Sequence, residues 1–300
     1  MKVLISGASG LIGKPLQDAL KIAGYKVVCL VRSSRPVSSD AVVWDPTKGR
    51  IDAASLENFD AVIHLAGENI AAGRWTEERK KRILSSRVES TKTLVNSLFR
   101  LTHPPKMFIC ASAIGYYGNR FDEVCTEKSS SGSGFLAEVC RQWEGAAVQA
   151  EKAGIRTVLL RTGIVLSPDG GALGRMLLPF KLALGGRLGS GEQYMSWIAI
   201  DDMIGAILFI LNHENVSGPV NAVAPNPVTN AEFTRILGKV LNRPAILPVP
   251  PFALRLLVGR ELTDEVLLGS TRAAPEKLTD CGFTFAYPRL EQAFNKLLKG

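Results

Sequence analysis

The segment GASGLIG, residues 7–13, decides the fold of this 300-residue chain. A short apolar run at residues 2–6 precedes it, and residues 11–23 have apolar side chains at helical spacing until a glycine ends the pattern. This order predicts a strand, a tight glycine-rich loop and a helix. Backbone N–H groups at the start of such a helix, together with its dipole, attract a diphosphate.

The three glycines of the segment allow a tight turn, close approach of the backbone to a ligand, and close packing of helix on sheet. Three glycines alone also fit an ordinary bend. Here strand, loop and helix agree, which favours a dinucleotide-binding loop. The residues predicted to contact the cofactor in this loop are Gly7, Ser9, Gly10, Leu11, Ile12 and Gly13.

Strands and helices alternate along the first half of the chain. Apolar runs predict further strands at 25–31, 41–44, 61–65, 106–111 and 156–161, and helical spacing predicts long helices at 79–99 and 135–153. Such alternation is typical of a parallel sheet covered on both faces. We therefore expect an α/β fold, a Rossmann-like doubly wound parallel sheet.

The second half is richer in glycine and proline and less regular. The apolar stretch 176–184 is interpreted as a pocket wall or lid, and 219–222 as a strand that rejoins the sheet. Helices are predicted at 198–211, 230–241, 252–257 and 290–298. We expect a dinucleotide-binding Rossmann domain at 1–168, rejoined by about 196–224, and a small, mainly helical C-terminal substrate lobe made of 169–195 and 225–300.

Composition excludes several classes of function. The net charge of +8 comes from dispersed Lys and Arg residues, without the basic stripe of a nucleic-acid-binding protein. Five cysteines, an odd number without paired short spacing, and three histidines predict neither a disulfide framework nor a metal site and fit a reducing compartment. The first strand begins at Lys2, leaving no room for a leader, and no apolar run is long enough to cross a bilayer. We expect a cytoplasmic protein that contacts neither membrane nor nucleic acid and acts on a small molecule.

The end of the second strand indicates the choice of cofactor. NAD-binding loops are typically followed about 20 residues on by an acidic residue that binds the ribose, and this chain has Arg32 there. In the run LVRSSR, Arg32 with Ser33, Ser34 and Arg35 offers cationic and hydroxyl donors that suit a 2′-phosphate and predict NADP(H). A plain surface arginine is the alternative for Arg32, and Val31 before it is a further predicted cofactor contact. Asp45 is placed either to reach the adenine amino group or to form a turn before proline.

Together these motifs resemble the extended and atypical short-chain dehydrogenase/reductases. The loop matches their GxxGxxG pattern, HLAG at 64–67 resembles their fourth-strand motif, and ASAIGYYG at 111–118 resembles the segment after their fifth strand. HLAGENI, SRVEST, FLAEVCRQWE, LLPF and PEKLTDCGFTFAYP narrow the resemblance to the epimerase-like SDR39U1 group, also labelled SulA-like. The likeness covers essentially the whole chain.

The resemblance implies further cofactor contacts. Leu65, Ala66 and Gly67 would pass beneath the cofactor, and Gly163 and Val165 would meet the carboxamide side of the nicotinamide. Where the superfamily often has asparagine, this chain has Arg87, which suits a phosphate or a substrate anion. Pairing of Arg87 with Glu89 or Glu127 is the alternative interpretation.

One departure from the resemblance concerns catalysis. Members usually carry a YxxxK pair that exchanges a proton with the substrate, but the corresponding positions here are Phe135 and Val139. Tyr116 is the first replacement candidate, with Ser112 beside it, and two tyrosines packed in a pocket wall are the alternative. His64, inside a strand, is interpreted as a packed residue.

Two functions remain open from sequence. One is an NADP(H)-binding, epimerase-family oxidoreductase that acts on a small carbonyl or sugar-like substrate. The other is a non-catalytic, NADP(H)-dependent regulatory protein, similar to a cell-division inhibitor, that acts through a protein partner. A homodimer is compatible with both.

Overall fold

The computed structural model describes residues 1–32 and 40–300. Its strands are β1 (Lys2–Ser6), β2 (Lys26–Arg32), β3 (Ala41–Asp45), β4 (Arg50–Ile51), β5 (Ala61–His64), β6 (Met107–Ala113), β7 (Val124–Cys125), β8 (Arg156–Thr162), β9 (Ile164–Leu166), β10 (Tyr194–Met195), β11 (Trp197–Ala199), β12 (Gly218–Ala222), β13 (Val228–Thr229) and β14 (Arg272–Ala273). Its α-helices are α1 (Gly13–Ile22), α2 (Glu77–Leu98), α3 (Phe135–Ala147), α4 (Gly171–Lys181), α5 (Ile200–Asn212), α6 (Asn230–Leu241), α7 (Pro251–Val258), α8 (Arg260–Leu262), α9 (Glu276–Asp280) and α10 (Leu290–Lys299).

The central sheet has the order β12-β8-β6-β5-β1-β2-β3-β4. All neighbours pair in parallel except β3 and β4, which are antiparallel. From β1 the chain first adds β2, β3 and β4 on one side of the sheet. It then returns to add β5, β6, β8 and β12 on the other side. This reversal leaves a crevice at the carboxyl ends of β1 and β5, where doubly wound sheets bind ligands. The predicted α/β fold and the return of 219–222 to the sheet are confirmed.

Two apolar layers cover the sheet. Side chains alternate between faces along a strand, so Val3 and Ile5 pack with α1 and α5, whereas Leu4 packs with α2 and α3 on the opposite face. Each fully buried aliphatic side chain of this kind contributes roughly 1.5–3 kcal/mol. The sheet is therefore fixed from both sides, and its strand ends form a rigid base for a site.

A third apolar cluster lies away from the sheet. Phe233 of α6 and Phe294 of α10 meet edge to face at 5.1 Å, and Leu173 and Phe180 of α4 join them. The apolar stretch that was interpreted as a wall or lid is thus partly helical, with α4 ending at Lys181. The division of the chain into a Rossmann domain and a substrate lobe stays a prediction.

The short elements between 260 and 280 were not predicted. They comprise α8, a π-helical turn at Thr263–Leu267 and α9, each too short to show a periodic apolar pattern. The predicted helix 135–153 ends earlier as an α-helix and continues as a 3-10 helix over Val148–Ala153. Helix α6, in contrast, has the predicted bounds.

Two glycines provide a matched test of how closely the first loop is packed. A Cβ on Gly13 would overlap the carbonyl oxygen of Gly7 and lie 2.8 Å from the Ala8 Cα, whereas a Cβ on Gly145, inside α3, would meet no atom within 4 Å. We expect Gly13→Ala to lower the free energy of unfolding by about 2 kcal/mol or more, and Gly145→Ala to raise it by about 0.5–1 kcal/mol through helix propensity. Chemical denaturation measures both changes. Equal stability of Gly13→Ala and wild type would contradict the packing.

Candidate active site

Backbone packing shapes the loop after β1. Gly7 has φ of +70°, and a Cβ there would lie 2.7–2.8 Å from the backbone of Leu65 and Ala66. The loop therefore rests directly on the end of β5. Helix α1 follows at once, and its N-cap residue, Ile12, provides no side-chain cap. The arrangement leaves a cradle of backbone with helix N–H groups at its head, which fits a diphosphate.

Other residues of this loop form its rim. Ser9 and Gly10 are exposed, and the N–H of Gly10 donates to the Gly7 carbonyl at 3.0 Å. Leu11 lies against the start of α4, with its methyl groups 3.5 Å and 2.9 Å from Cβ positions built on Gly170 and Gly171. The structure therefore brings the glycine-rich stretch after β9 to the edge of the cradle.

The ends of β2 and β3 lie beside the cradle. Arg32 is exposed at the last position of β2, in register with Trp44, and Val31 precedes it half-buried. Ser33, Ser34 and Arg35 fall outside the described residues. Asp45 accepts hydrogen bonds from the Thr47 hydroxyl at 2.6 Å and the Thr47 N–H at 3.0 Å, and the Thr47 hydroxyl bond lowers the pKa of its carboxyl. These contacts are those of the turn-forming alternative.

His64 is the centre of a buried hydrogen-bond chain. The Ser90 hydroxyl donates to the Ser86 carbonyl at 2.7 Å, so it accepts from His64 Nε2–H at 3.2 Å. His64 Nδ1 then accepts from the Ser6 hydroxyl at 2.6 Å. This assignment of hydrogens satisfies both ring nitrogens. Burial lowers the pKa of His64 to about 4, so the ring is neutral near pH 7 and ties β1 and β5 to α2, as expected for a packed residue.

The buried histidine predicts a pH dependence of stability. Because its folded pKa of about 4 lies below the ordinary histidine value of 6.5, the unfolded chain binds more protons between these values, and stability is lost as the pH falls through that window. The loss should approach about 1.4 kcal/mol per pH unit, or roughly 3 kcal/mol in total. Denaturation of wild type and His64→Gln from pH 7 to pH 4 should show a steeper decline for wild type. Parallel curves would contradict this prediction.

Arg87 holds the loop after β5. Its guanidinium donates to the carbonyls of Glu68 at 2.9 Å and Ile83 at 3.1 Å, and it lies 3.2–3.5 Å from a Cβ built on Gly67. Within the described chain it pairs with neither predicted glutamate: Glu89 binds Lys92, and Glu127 accepts from backbone N–H groups. Arg87 is thus a partly buried cation beside the crevice, without a carboxylate partner in the described residues.

A buried polar network lies under the ends of β6 and β8. The Ser112 hydroxyl donates to Glu144 at 2.7 Å, and Glu144 accepts two hydrogen bonds of 2.8 Å from Arg161. Arg161 also donates to the Tyr117 hydroxyl at 3.1 Å, which donates to Asn221 at 2.7 Å. Burial raises the pKa of Tyr117 to about 12. Ser112 is only 4% exposed, and its hydroxyl is engaged in this network.

Tyr116 lies at the edge of the same network. The Arg161 guanidinium carbon lies 3.5 Å from the centre of its ring, and the Tyr117 ring meets it edge to face at 5.5 Å. Unlike Ser112 and Tyr117, Tyr116 is only half-buried. Of the two predicted catalytic side chains, it is the one that the structure leaves at a surface.

The first turn of α3 is held by contacts with two distant segments of the chain. Phe135 packs edge to face on Trp75 at 5.1 Å, and Val139 is buried. The carboxylate of Glu265 accepts from the N–H groups of Phe135 and Leu136, both at 2.9 Å. Sequence reasoning missed Glu265, Glu144 and Arg161, because a lone charged residue in a helix or strand carries no motif.

The segment after β8 is fixed by close packing. A Cβ on Gly163 would lie 2.6 Å from the Ser196 carbonyl oxygen, and Val165 lies in β9, which pairs in parallel with β11.

Residues 1–32 and 40–300 contain no group of three potential metal ligands. No helix in the described part of the chain has the length and apolar character needed to cross a bilayer.

Comparison with known proteins defines the class. The NAD dependent epimerase/dehydratase family matches residues 3–223, and a domain of unknown function (DUF1731) matches 249–297. The chain belongs to this epimerase family, and its sequence resemblance to the epimerase-like group is confirmed.

Full-length relatives narrow this class. The chain is 45% identical to epimerase family protein Mb2239 of Mycobacterium bovis over 97% of its own length and 95% of that protein. It matches the crystal structure of human SDR39U1 (isoform 2) with NADPH at 34% identity and a TM-score of 0.91, covering both chains fully. A nucleoside-diphosphate sugar epimerase from Corynebacterium glutamicum is 36% identical with a TM-score of 0.82, over 99% of this chain and 58% of that one.

Proposed function

We propose that this protein is an NADP(H)-binding oxidoreductase of the epimerase family that acts on a small carbonyl compound of the sugar type. The main support is the cradle formed by Gly7, Gly13 and the end of β5, which a single Cβ would fill. The human relative crystallised with NADPH has the same fold, and the Corynebacterium relative is described as an epimerase of nucleoside-diphosphate sugars. When bound, the nicotinamide supplies or accepts hydride. A cytoplasmic location and a homodimer stay predictions.

The chain's own residues have separate parts in this proposal. Backbone N–H groups at the head of α1 bind the diphosphate, and Arg32 binds the 2′-phosphate. Gly67, Gly163 and Val165 give the cofactor room and orientation. Arg87 faces an anionic group of cofactor or substrate, because a partly buried cation gains most from a charged partner.

Tyr116 is the proposed proton donor. Phe135 and Val139 have no exchangeable proton, and the Ser112 hydroxyl is held by Glu144. The Arg161 guanidinium against the Tyr116 ring fixes the position of that ring. Ser112, Glu144 and Arg161 then act as positioning residues. The missing tyrosine–lysine pair also suits the regulatory alternative, in which NADP(H) binds but no substrate reacts.

The cofactor assignment can be tested by a charge reversal. Arg32→Asp should weaken NADPH binding about 10- to 100-fold, because a charge-assisted hydrogen bond of roughly 1.5–3 kcal/mol is lost, while NADH binding is retained or improved. Arg235→Asp, an exposed position on α6, makes the same change in net charge and should leave both affinities unchanged. Calorimetric titration of the three proteins measures this. Equal NADPH affinity for Arg32→Asp and wild type would exclude Arg32 as the phosphate ligand.

The proton donor can be tested by single-turnover oxidation of bound NADPH. The probes are carbonyl compounds, including nucleoside-diphosphate keto sugars. Tyr116→Phe should slow the reaction by about 10²-fold or more without changing NADPH affinity. Tyr25→Phe is the matched control, since its hydroxyl binds Asn212 at an exposed site. If wild type oxidises NADPH with none of these compounds yet binds it tightly, the regulatory alternative is favoured.

A further inference from the structure

Two stretches of the chain expose an unusual number of large apolar side chains. The first stretch, residues 171–189, contains α4 and the loop after it. The second, residues 242–260, contains the proline-rich segment and α7. Their large apolar side chains that are between 51% and 81% exposed are Leu178, Leu182, Leu184, Ile246, Leu247, Phe252, Leu256 and Leu257. Most of the exposed large apolar residues in the described chain therefore lie in these two stretches.

Backbone contacts join the two stretches into one surface. The N–H of Val249 donates to the Arg187 carbonyl at 2.8 Å, and the N–H of Gly189 donates back to Val249 at 2.9 Å. Arg243 Nε donates to the Lys181 carbonyl at 3.0 Å. We call this surface, residues 171–189 and 242–260, the apolar–cationic face. Inward packing of Leu173, Phe180 and Leu254 anchors it.

The face carries charge of one sign. Its two stretches contain six Lys or Arg residues and no Asp or Glu. Asp264, just beyond the face, pairs with Arg255 at 3.0 Å and Arg260 at 3.6 Å. The other four cations have no carboxylate within 4.0 Å in the described part of the chain. These are Arg175, Lys181, Arg187 and Arg243, all exposed.

We propose that the apolar–cationic face docks on the surface of an anionic phospholipid bilayer. Exposed Leu, Ile and Phe side chains enter the boundary between head groups and acyl chains, while Lys and Arg contact the lipid phosphates. A bilayer supplies apolar material and negative charge together over a broad area. Protein interfaces, in contrast, draw on Trp, Tyr and Arg anchors with a polar rim. Docking of this kind requires no membrane-spanning helix, and it is an alternative to the expectation from sequence that the protein contacts no membrane.

The apolar–cationic face lies next to the loop that follows β5. Arg74, in the loop after β5, donates to the carbonyls of Leu256 and Leu257, and Arg175 donates to the Ala71 carbonyl at 2.7 Å. The face therefore adjoins the loop that continues from the cradle. Docking would bring the mouth of the proposed site to the lipid surface.

Vesicle sedimentation tests the proposal with the full chain. Wild type should bind vesicles of phosphatidylcholine containing phosphatidylglycerol, bind pure phosphatidylcholine about tenfold less, and be released by salt. The double variant Phe252→Ser/Leu256→Ser, one turn apart on α7, should reduce binding about tenfold or more. Lys181→Glu/Arg187→Glu should do the same. The control Ile22→Ser/Phe121→Ser removes two apolar side chains elsewhere that are at least as exposed, and it should bind as wild type does.

Three outcomes would overturn the proposal. They are no binding to anionic vesicles by wild type, equal binding by wild type and both face variants, or a change of oligomeric state in the face variants without vesicle binding. The last result would assign the face to a second copy of the chain. Calorimetric NADPH binding, measured on the same samples, shows whether the variants fold and tests the proposed function separately, so that failure of one proposal is distinguishable from failure of the other.

Discussion

The structure depends on the close packing of backbone against backbone where β1 leads into α1. This packing leaves no space for side chains. Gly7 lies against the backbone at 65–66, and Gly13 brings the first turn of α1 onto the Gly7 carbonyl. This packing brings the start of α1 to the point where the strand order of the sheet reverses, between β1 and β5. The free N–H groups of the helix therefore lie where the two halves of the sheet diverge. Burial of the apolar strands on both faces keeps that junction rigid. Any larger residue at either glycine would move a helix and a strand end together.

Two polar networks extend this rigidity along the crevice. On one side His64 links β1, β5 and α2 through neutral hydrogen bonds, and Arg87 holds the loop that follows. On the other side Glu144 and Arg161 form a nearly fully buried ion pair that holds Ser112 and Tyr117. Removing one partner of such a pair would leave an uncompensated buried charge, which typically costs about 3–5 kcal/mol. Both networks therefore fix side chains around the crevice at the strand ends.

The sequence was informative wherever local pattern decides structure. Apolar runs located β1, β5 and β8 to within about one residue, and the glycine spacing located the cradle. It was uninformative where contacts join distant segments: Glu144 reaches Arg161 across 17 residues and Glu265 reaches Phe135 across 130. Asp45 shows what a sequence motif cannot distinguish, because an aspartate at this strand end is compatible both with a turn and with a contact to adenine.

Helix α3 shows what stands at the two positions where the family resemblance places a tyrosine–lysine pair. At its first turn the ring of Phe135 packs on Trp75, and Glu265 binds the free N–H groups there. A carboxylate at a helix N-terminus is favourable in itself, so this end of α3 is joined to the residues near 265. In the proposed reaction the exchanged proton comes from the next segment along the crevice wall. Tyr116 stands there half-buried, and Arg161, already neutralised by Glu144, can hold its ring without competing for an anionic substrate.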